Sequence, residues 1–219
     1  MTTSVEAILR TELHLGKCQI AFITALLRVM IALPGRATFR NLARFTQYHE
    51  RTFRRHFAKA INMTRLNLAL ARPTLADTRQ VILAIDCSFV PKSGRHTHGL
   101  DTFWNGVHAR SQRGLEVSRV ALIAPKTKRA FALSAQQTAP RGLDEARSTA
   151  TASRTAQYLA QLQAAAPALP TSVRYVAADG YYAKRTFIDG VCGLGLHMIG
   201  KLRSAADKHG APLRRRRQR

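Results

Sequence analysis

Apolar residues recur at helical spacing from Ser4 to about Leu33, at Val5, Ile8, Leu9, Leu13, Ile20, Ile23, Leu26, Leu27 and Met30, before Pro34-Gly35 ends the pattern. The spacing predicts one long helix, or two broken near Gly16. Two shorter helical patterns follow, Thr38 to Phe45 and Glu50 to Ile61, joined by the polar Thr46-Gln47-Tyr48-His49. Arg72-Pro73 to Gln80 reads as a linker. At Val81 the pattern changes to Val-Ile-Leu-Ala-Ile-Asp, a run of β-formers that ends in a carboxylate at Asp86. Val173 to Asp179, Val-Arg-Tyr-Val-Ala-Ala-Asp, repeats the design and is punctuated by Gly180. Between these stretches, Pro91 to Gly99 is polar and turn-rich, and Leu100 to Arg110 carries the single Trp. Val117 to Ala124 and Arg129 to Leu133 flank the turn Pro125-Lys126-Thr127-Lys128. Leu143 to Ala166 predicts a helix closed by Pro167 and Pro170, Tyr182 to Gly190 a short helix, and Leu194 to Lys201 a last strand.

Charge changes the picture most. The 219 residues hold 35 Lys+Arg against 12 Asp+Glu, a net charge of +23, which favours a polyanionic partner: nucleic acid first, anionic membrane second. Between Arg36 and Arg72, nine basic residues against Glu50 leave +8. Arg51, Arg54, Arg55 and Lys59 fall three or four apart, so they share one face of the second short helix while Phe53 and Phe57 take the other. Two short helices, the second rich in Arg, outline a helix-turn-helix whose basic face suits a DNA groove; the alternative is a solvated basic helix packed on its Phe side. Cys18, Cys87 and Cys192 have no C-x-x-C spacing, so neither a disulfide framework nor a cysteine zinc site is indicated. The longest apolar run, Cys18 to Leu33, is short for a bilayer span and contains Arg28, which predicts a buried helix in a cytoplasmic protein rather than a membrane segment.

Two strands of one sheet, each ending in Asp, place two carboxylates where they could hold divalent metal ions. Phosphodiester cleavage needs ions that activate the attacking oxygen and neutralise the leaving one, and hard cations such as Mg²⁺ or Mn²⁺ take oxygen ligands. Asp86 and Asp179 fit that role, although either alone reads as a turn former or helix cap. Lys92, Arg95 and Lys184 follow the two acids closely and are candidates to hold a DNA backbone, or are plain surface charges. His96 and His98 near Cys87 lack a second ligand pair for zinc. Trp104, Tyr181 and Tyr182 read either as core or as platforms for an unpaired base.

The order strand, hairpin, helix, strand, helix, strand resembles a ribonuclease H-like fold. Locally, Ala84-Ile85-Asp86-Cys87-Ser88-Phe89-Val90-Pro91-Lys92-Ser93-Gly94, then Thr97-His98-Gly99-Leu100-Asp101 and Phe103-Trp104-Asn105-Gly106, resembles the first-aspartate block of DDE transposases from bacterial insertion sequences. Ala178-Asp179-Gly180-Tyr181-Tyr182-Ala183-Lys184 resembles their second. The resemblance implies an α/β (α+β) chain in four parts. Residues 1–72 form a helical DNA-end-binding region, 73–80 a linker, 81–203 an incomplete ribonuclease H-like core and 204–219 a basic tail. It further implies Mg²⁺-dependent hydrolysis and strand transfer on double-stranded DNA, at transposon ends and target, with Asp86 and Asp179 as metal ligands. A homo-oligomer, nucleoid association and no membrane partner go with it.

The family's third ligand, a Glu in a motif with Tyr, Arg and Lys, has no counterpart after Lys201, where only Asp207 is acidic and the chain closes on Arg214-Arg215-Arg216-Arg217-Gln218-Arg219. The expectation is a truncated, inactive transposase whose sheet leaves apolar surface uncovered near Leu194, Leu196 and Met198. Two other readings stand beside it. One is a non-catalytic DNA-binding inhibitor of transposition. The other is a stand-alone nuclease that recruits Glu145, beside Asp144, at the start of the long helix; both acids equally suit a helix N-terminus.

Overall fold

The structure, a computed structural model, describes residues 2–75, 80–140 and 153–201. The first helical pattern is divided: α1 (Thr2–Thr11) and α2 (Lys17–Ala32) are separated at Gly16, which caps α2. Ile20, Phe22, Ile23 and Val29 of α2 are buried while Met30 and Ile31 face outward, so the expected buried helix is buried along one stripe. Two short helices follow, α3 (Phe39–Arg44) and α4 (Glu50–Phe57). Their starts are fixed by side-chain caps: Thr38 Oγ1 accepts from the Asn41 N–H and His49 Nδ1 from the Arg51 N–H. Phe53 is fully buried, its ring centroid 5.3 Å from Phe22 and 6.4 Å from Tyr48. Phe57, expected on the same packed face, is exposed; it is the last residue of α4, past the reach of that core, and meets Phe39 edge-on at 4.9 Å.

A fifth helix was not apparent in the pattern. Asn62 Oδ1 accepts from the Arg65 N–H and caps α5 (Met63–Leu75), which runs through Pro73, so residues 73–75 of the expected linker are helical. Residues 76–79 lie outside the described residues. Pro73 forfeits one helical hydrogen bond, yet Ala71 and Leu75 are buried around it, and that packing outweighs the loss. The helix serves two cores. Leu66 packs with Leu9, Phe22 and Phe53, whereas Leu68, Ala71 and Leu75 pack with the sheet. Arg72 pairs with Glu12 at 2.8 Å, and Asn67 Nδ2 donates to the Leu133 carbonyl at 3.0 Å.

Six strands form one mixed sheet among the described residues: β1 (Val81–Pro91), β2 (Asp101–Asn105), β3 (Arg110–Ala124), β4 (Arg129–Gln137), β5 (Val173–Ala178) and β6 (His197–Gly200). β3 is antiparallel to β1, β2 and β4, while β1–β5 and β5–β6 are parallel. The 15-residue β3 takes β2 against Arg110–Gly114 and β4 against Val117–Ala124, both on the edge away from β1. The path β4-β3-β1-β5-β6, three antiparallel strands and then two parallel ones, is the ribonuclease H-like arrangement that the element order predicts.

Helices α6 (Arg154–Ala165) and α7 (Arg185–Gly193) join α5 over one face of this sheet, on Leu83, Ile85, Val120, Leu122 and Val176. α6 begins at a Ser153 cap; Asp144, Glu145 and the rest of 141–152 lie outside the described residues, as do 202–219 with Asp207 and the Arg run. The apolar surface left bare is not where it was expected. Leu196 is buried, and Leu194 and Met198 pack on the covered core. Met198 pairs with Val176 and therefore points the same way, whereas Ile199 pairs with Ala177 and is exposed on the opposite face, as is Tyr175. Among the described residues no helix is long and apolar enough to cross a membrane.

Candidate active site and nucleic-acid surface

β1 and β5 run parallel with Ala84 opposite Ala177 and Ile85 opposite Ala178. Ile85 and Ala178 pack on the covered core, so the pleat turns Asp86, the next residue of β1, toward the other face, while Asp179 is the first residue beyond β5. The two acids therefore follow paired residues of strands about 4.8 Å apart, and both are exposed. Asp179 follows the last residue of β5, and its Oδ1 accepts from the Tyr181 N–H at 2.9 Å, capping a short 3₁₀ turn over Gly180–Tyr182. Asp86 differs from expectation. It does not end its strand: β1 continues to Pro91 against β3, because Phe89 and Val90 are good β-formers and β3 offers a partner that far. What ends near Asp86 is β5, so the pair stands where the sheet narrows. Asp86 Oδ1 accepts from the Cys87 N–H at 2.8 Å, and neither acid is in an ion pair with a described residue.

Beneath the pair lies a buried polar group that the sequence pattern did not single out. Tyr158 Oη donates to Glu116 Oε1 at 2.5 Å, and both residues are buried. Tyr182 packs on Tyr158 (5.3 Å) and Phe187 (5.1 Å), and its hydroxyl finds no hydrogen bond of good geometry. Burial holds the Tyr182 phenol well above the usual range, and the Cys87 thiol and the charges of Asp86 and Asp179 add to it. Both carboxylates thus act on one phenol. Burial, then Glu116, likewise pushes the Cys87 thiol up, so Cys87 is not a thiolate nucleophile. The available signal was Glu116 itself, an acid at an inward position between Leu115 and Val117.

The predicted DNA-binding residues divide into free and engaged groups. Arg51, Arg55 and Lys59 are exposed and form no ion pair with a described residue. Arg54 pairs with Glu50 at 2.5 Å and lies 5.6 Å over the Phe39 ring; its hydrogen bond holds the Glu50 carboxyl below the usual range. Lys92 and Arg95 are exposed in the loop after β1. Lys184 is half-buried, its Nζ donating to Thr155 Oγ1 at 3.2 Å and lying 4.1 Å over the Tyr181 ring, so it ties the turn after Asp179 to α6. Trp104 is 57% exposed on β2, which excludes the core reading. Among the described residues no three His, Cys, Asp or Glu side chains gather as metal ligands, so His96, His98 and Cys87 form no zinc site and the Asp pair acquires no third acid there.

The fold is thus of the ribonuclease H-like class, with two carboxylates at the head of its parallel strands. The family profile for DDE superfamily endonucleases matches residues 14–219, and the chain belongs to that family. The expected membership of the DDE group is borne out at the level of the family. Among solved structures, a piggyBac transposase seen by cryo-electron microscopy in a synaptic complex with hairpin DNA is similar at 15% identity and a TM-score of 0.39. The match covers 96% of this chain and 42% of that one, so this chain spans less than half of that protein's length. No curated protein matches it in sequence.

Proposed function

We propose that this chain is a transposase-type DNA-processing protein of an insertion sequence, in which basic helices hold DNA ends and Asp86 and Asp179 address the phosphodiester. The observation that supports this reading is that the two acids directly follow Ile85 and Ala178, which are paired on neighbouring parallel strands. Two exposed oxygen donors of like charge, neither in an ion pair with a described residue, suit a hard divalent ion such as Mg²⁺ or Mn²⁺. Such an ion would activate the attacking oxygen and neutralise the leaving one. The chain's own residues do the rest. The Cys87 and Tyr181 N–H groups orient the two carboxylates, and Lys184 fixes the turn that carries Asp179. Arg51, Arg55 and Lys59 offer charge to the duplex backbone from α4 and the turn after it, in line with a DNA-binding division of the chain over residues 1–72.

The test is Mn²⁺ uptake by the chain mixed with a short duplex, followed by electron paramagnetic resonance of the free ion. Wild type should deplete the free-ion signal, and Asp86→Asn and Asp179→Asn should each restore it; equal depletion by all three proteins overturns the site. One observation favours a second reading: the described residues bring two acids together and not three. A DNA-binding inhibitor that occupies transposon ends needs no third acid. It would show salt-dependent but metal-independent DNA affinity, unchanged by Asp86→Ala.

A further inference from the structure

Three open grooves adjoin one another and share their walls. The largest, about 870 Å³, lies between the α2–α3 loop with Arg36 and Thr38, the loop after β1 with Lys92 and Ser93, and Arg113 of β3. A second, about 220 Å³, shares Arg36 and Thr38 and continues along α3 past Arg40 to Arg44. A third, about 300 Å³, shares Ser93 and Arg113 and reaches Arg95. Joined, they make one channel carrying six cations, and no carboxylate of a described residue lines it. None of the six forms an ion pair with a described residue. Glu50, whose charge reaches Arg40, is already bound to Arg54. Folding has gathered like charges along a trough with no ion-pair partner among the described residues, an arrangement that a bound polyanion relieves.

The walls are held in place. Asn41 Nδ2 donates to the carbonyls of Pro34 and Arg36, each at 3.0 Å, and Gly35 takes φ +79° to make the turn. Across the channel, Thr97 Oγ1 donates to the Ser93 carbonyl at 3.0 Å and closes the Lys92–Arg95 loop, with Gly94 at φ +118°. Five of the six cations are Arg, whose planar fork matches phosphate oxygens in pairs.

We infer that this channel binds the phosphodiester backbone of a nucleic acid, at a surface separate from the basic face of α4. The inference rests on the DNA-processing reading and gives the strand a path. Lys92 follows Pro91, which lies five residues along β1 from Asp86, or about 17 Å at 3.3 Å per residue. At 3.4 Å per nucleotide the gripped backbone lies about five nucleotides from the phosphate that faces the acids.

The test uses the full chain, a fluorescein-labelled 30-base-pair duplex of arbitrary sequence and fluorescence anisotropy across a KCl series. For the triple variant Arg36→Ala, Lys92→Ala, Arg113→Ala, the slope of log affinity against log salt should become shallower by ~2.7, at ~0.9 per lost phosphate contact. Circular dichroism checks the fold; should the triple variant not fold, Lys92→Ala alone, in an exposed loop, should lower the slope by ~0.9. Wild type that binds the duplex while the variants keep its slope overturns the channel and leaves the DNA reading standing. Wild type with no salt-dependent affinity for the duplex overturns both. Polyglutamate that binds more tightly than the duplex, and loses its affinity in the triple variant, overturns nucleic acid as the ligand class.

Discussion

Gly114→Ala should destabilise the protein, and the structure says why. Gly114 sits in β3 opposite both Pro91 of β1 and Asp101 of β2. A Cβ added there would lie 2.5 Å from two carbons of the Phe89 ring and 2.7 Å from the Val90 carbonyl oxygen. The ring could turn aside, but the oxygen is backbone in a paired strand, so β1 and β3 must separate locally. Overpacking of this kind costs about 1–3 kcal/mol. For a chain of 219 residues each kcal/mol moves the melting temperature by about 2–4 °C, which puts the expected loss at about 2–12 °C. Gly106→Ala is the internal control. Its Cβ would meet nothing within 4 Å, and the substitution should leave stability unchanged or raise it by about 0.4–1 kcal/mol through the unfolded chain. Differential scanning fluorimetry of both variants beside wild type decides the matter. A Gly114→Ala protein that melts at or above the Gly106→Ala protein would refute the close approach of β1 and β3 at this point.

Tyr158→Phe should cost about 1–3 kcal/mol, because it leaves the buried Glu116 carboxyl without the hydroxyl that satisfies it, whereas Tyr182→Phe removes an unsatisfied hydroxyl and should be neutral or stabilising; urea unfolding of the two variants compares them. His56 lies flat on the Phe22 ring at 4.0 Å, and burial, aided by Lys59 and Arg55, lowers its pKa from 6.5. The folded state then refuses a proton that the unfolded chain accepts, so stability present above pH 6.5 should decline as pH falls through that value; melting curves of His56→Gln should lack that part of the decline, and an identical decline would sink the assignment. In a gel assay with Mg²⁺ or Mn²⁺, the 219-residue chain should not join a DNA end to a second duplex, because the described residues bring no third acid to the pair and two carboxylates hold a second ion poorly; robust metal-dependent strand transfer would contradict this.

The parallel strands were the most legible part of the chain. A strand with neighbours on both sides reads as a short apolar run; Val81–Ile85 is unbroken and Val173–Ala178 is interrupted only by Arg174, which is why the two acids that follow could be paired from sequence. The break at Gly16 and the Pro125–Lys128 turn were readable for equally local reasons. The course of β1 beyond Asp86 was not, since what sustains it is β3, about 30 residues away in sequence. α5 stayed hidden because it buries Leu66 in one direction and Leu68 in another, which blurs the helical period, and because Pro73 imitates a stop. The channel could not be foreseen either, as residues 36–44 and 92–113 meet only after folding.

The double allegiance of α5 limits how this chain can be taken apart. A fragment ending at Arg72 would carry away the Leu68 and Ala71 side chains that roof the sheet, and the piece left behind would open its interior to water. Recombining the helical end with a foreign catalytic part, or the reverse, therefore demands that the whole of α5 travel with one side and that the other be given a substitute lid.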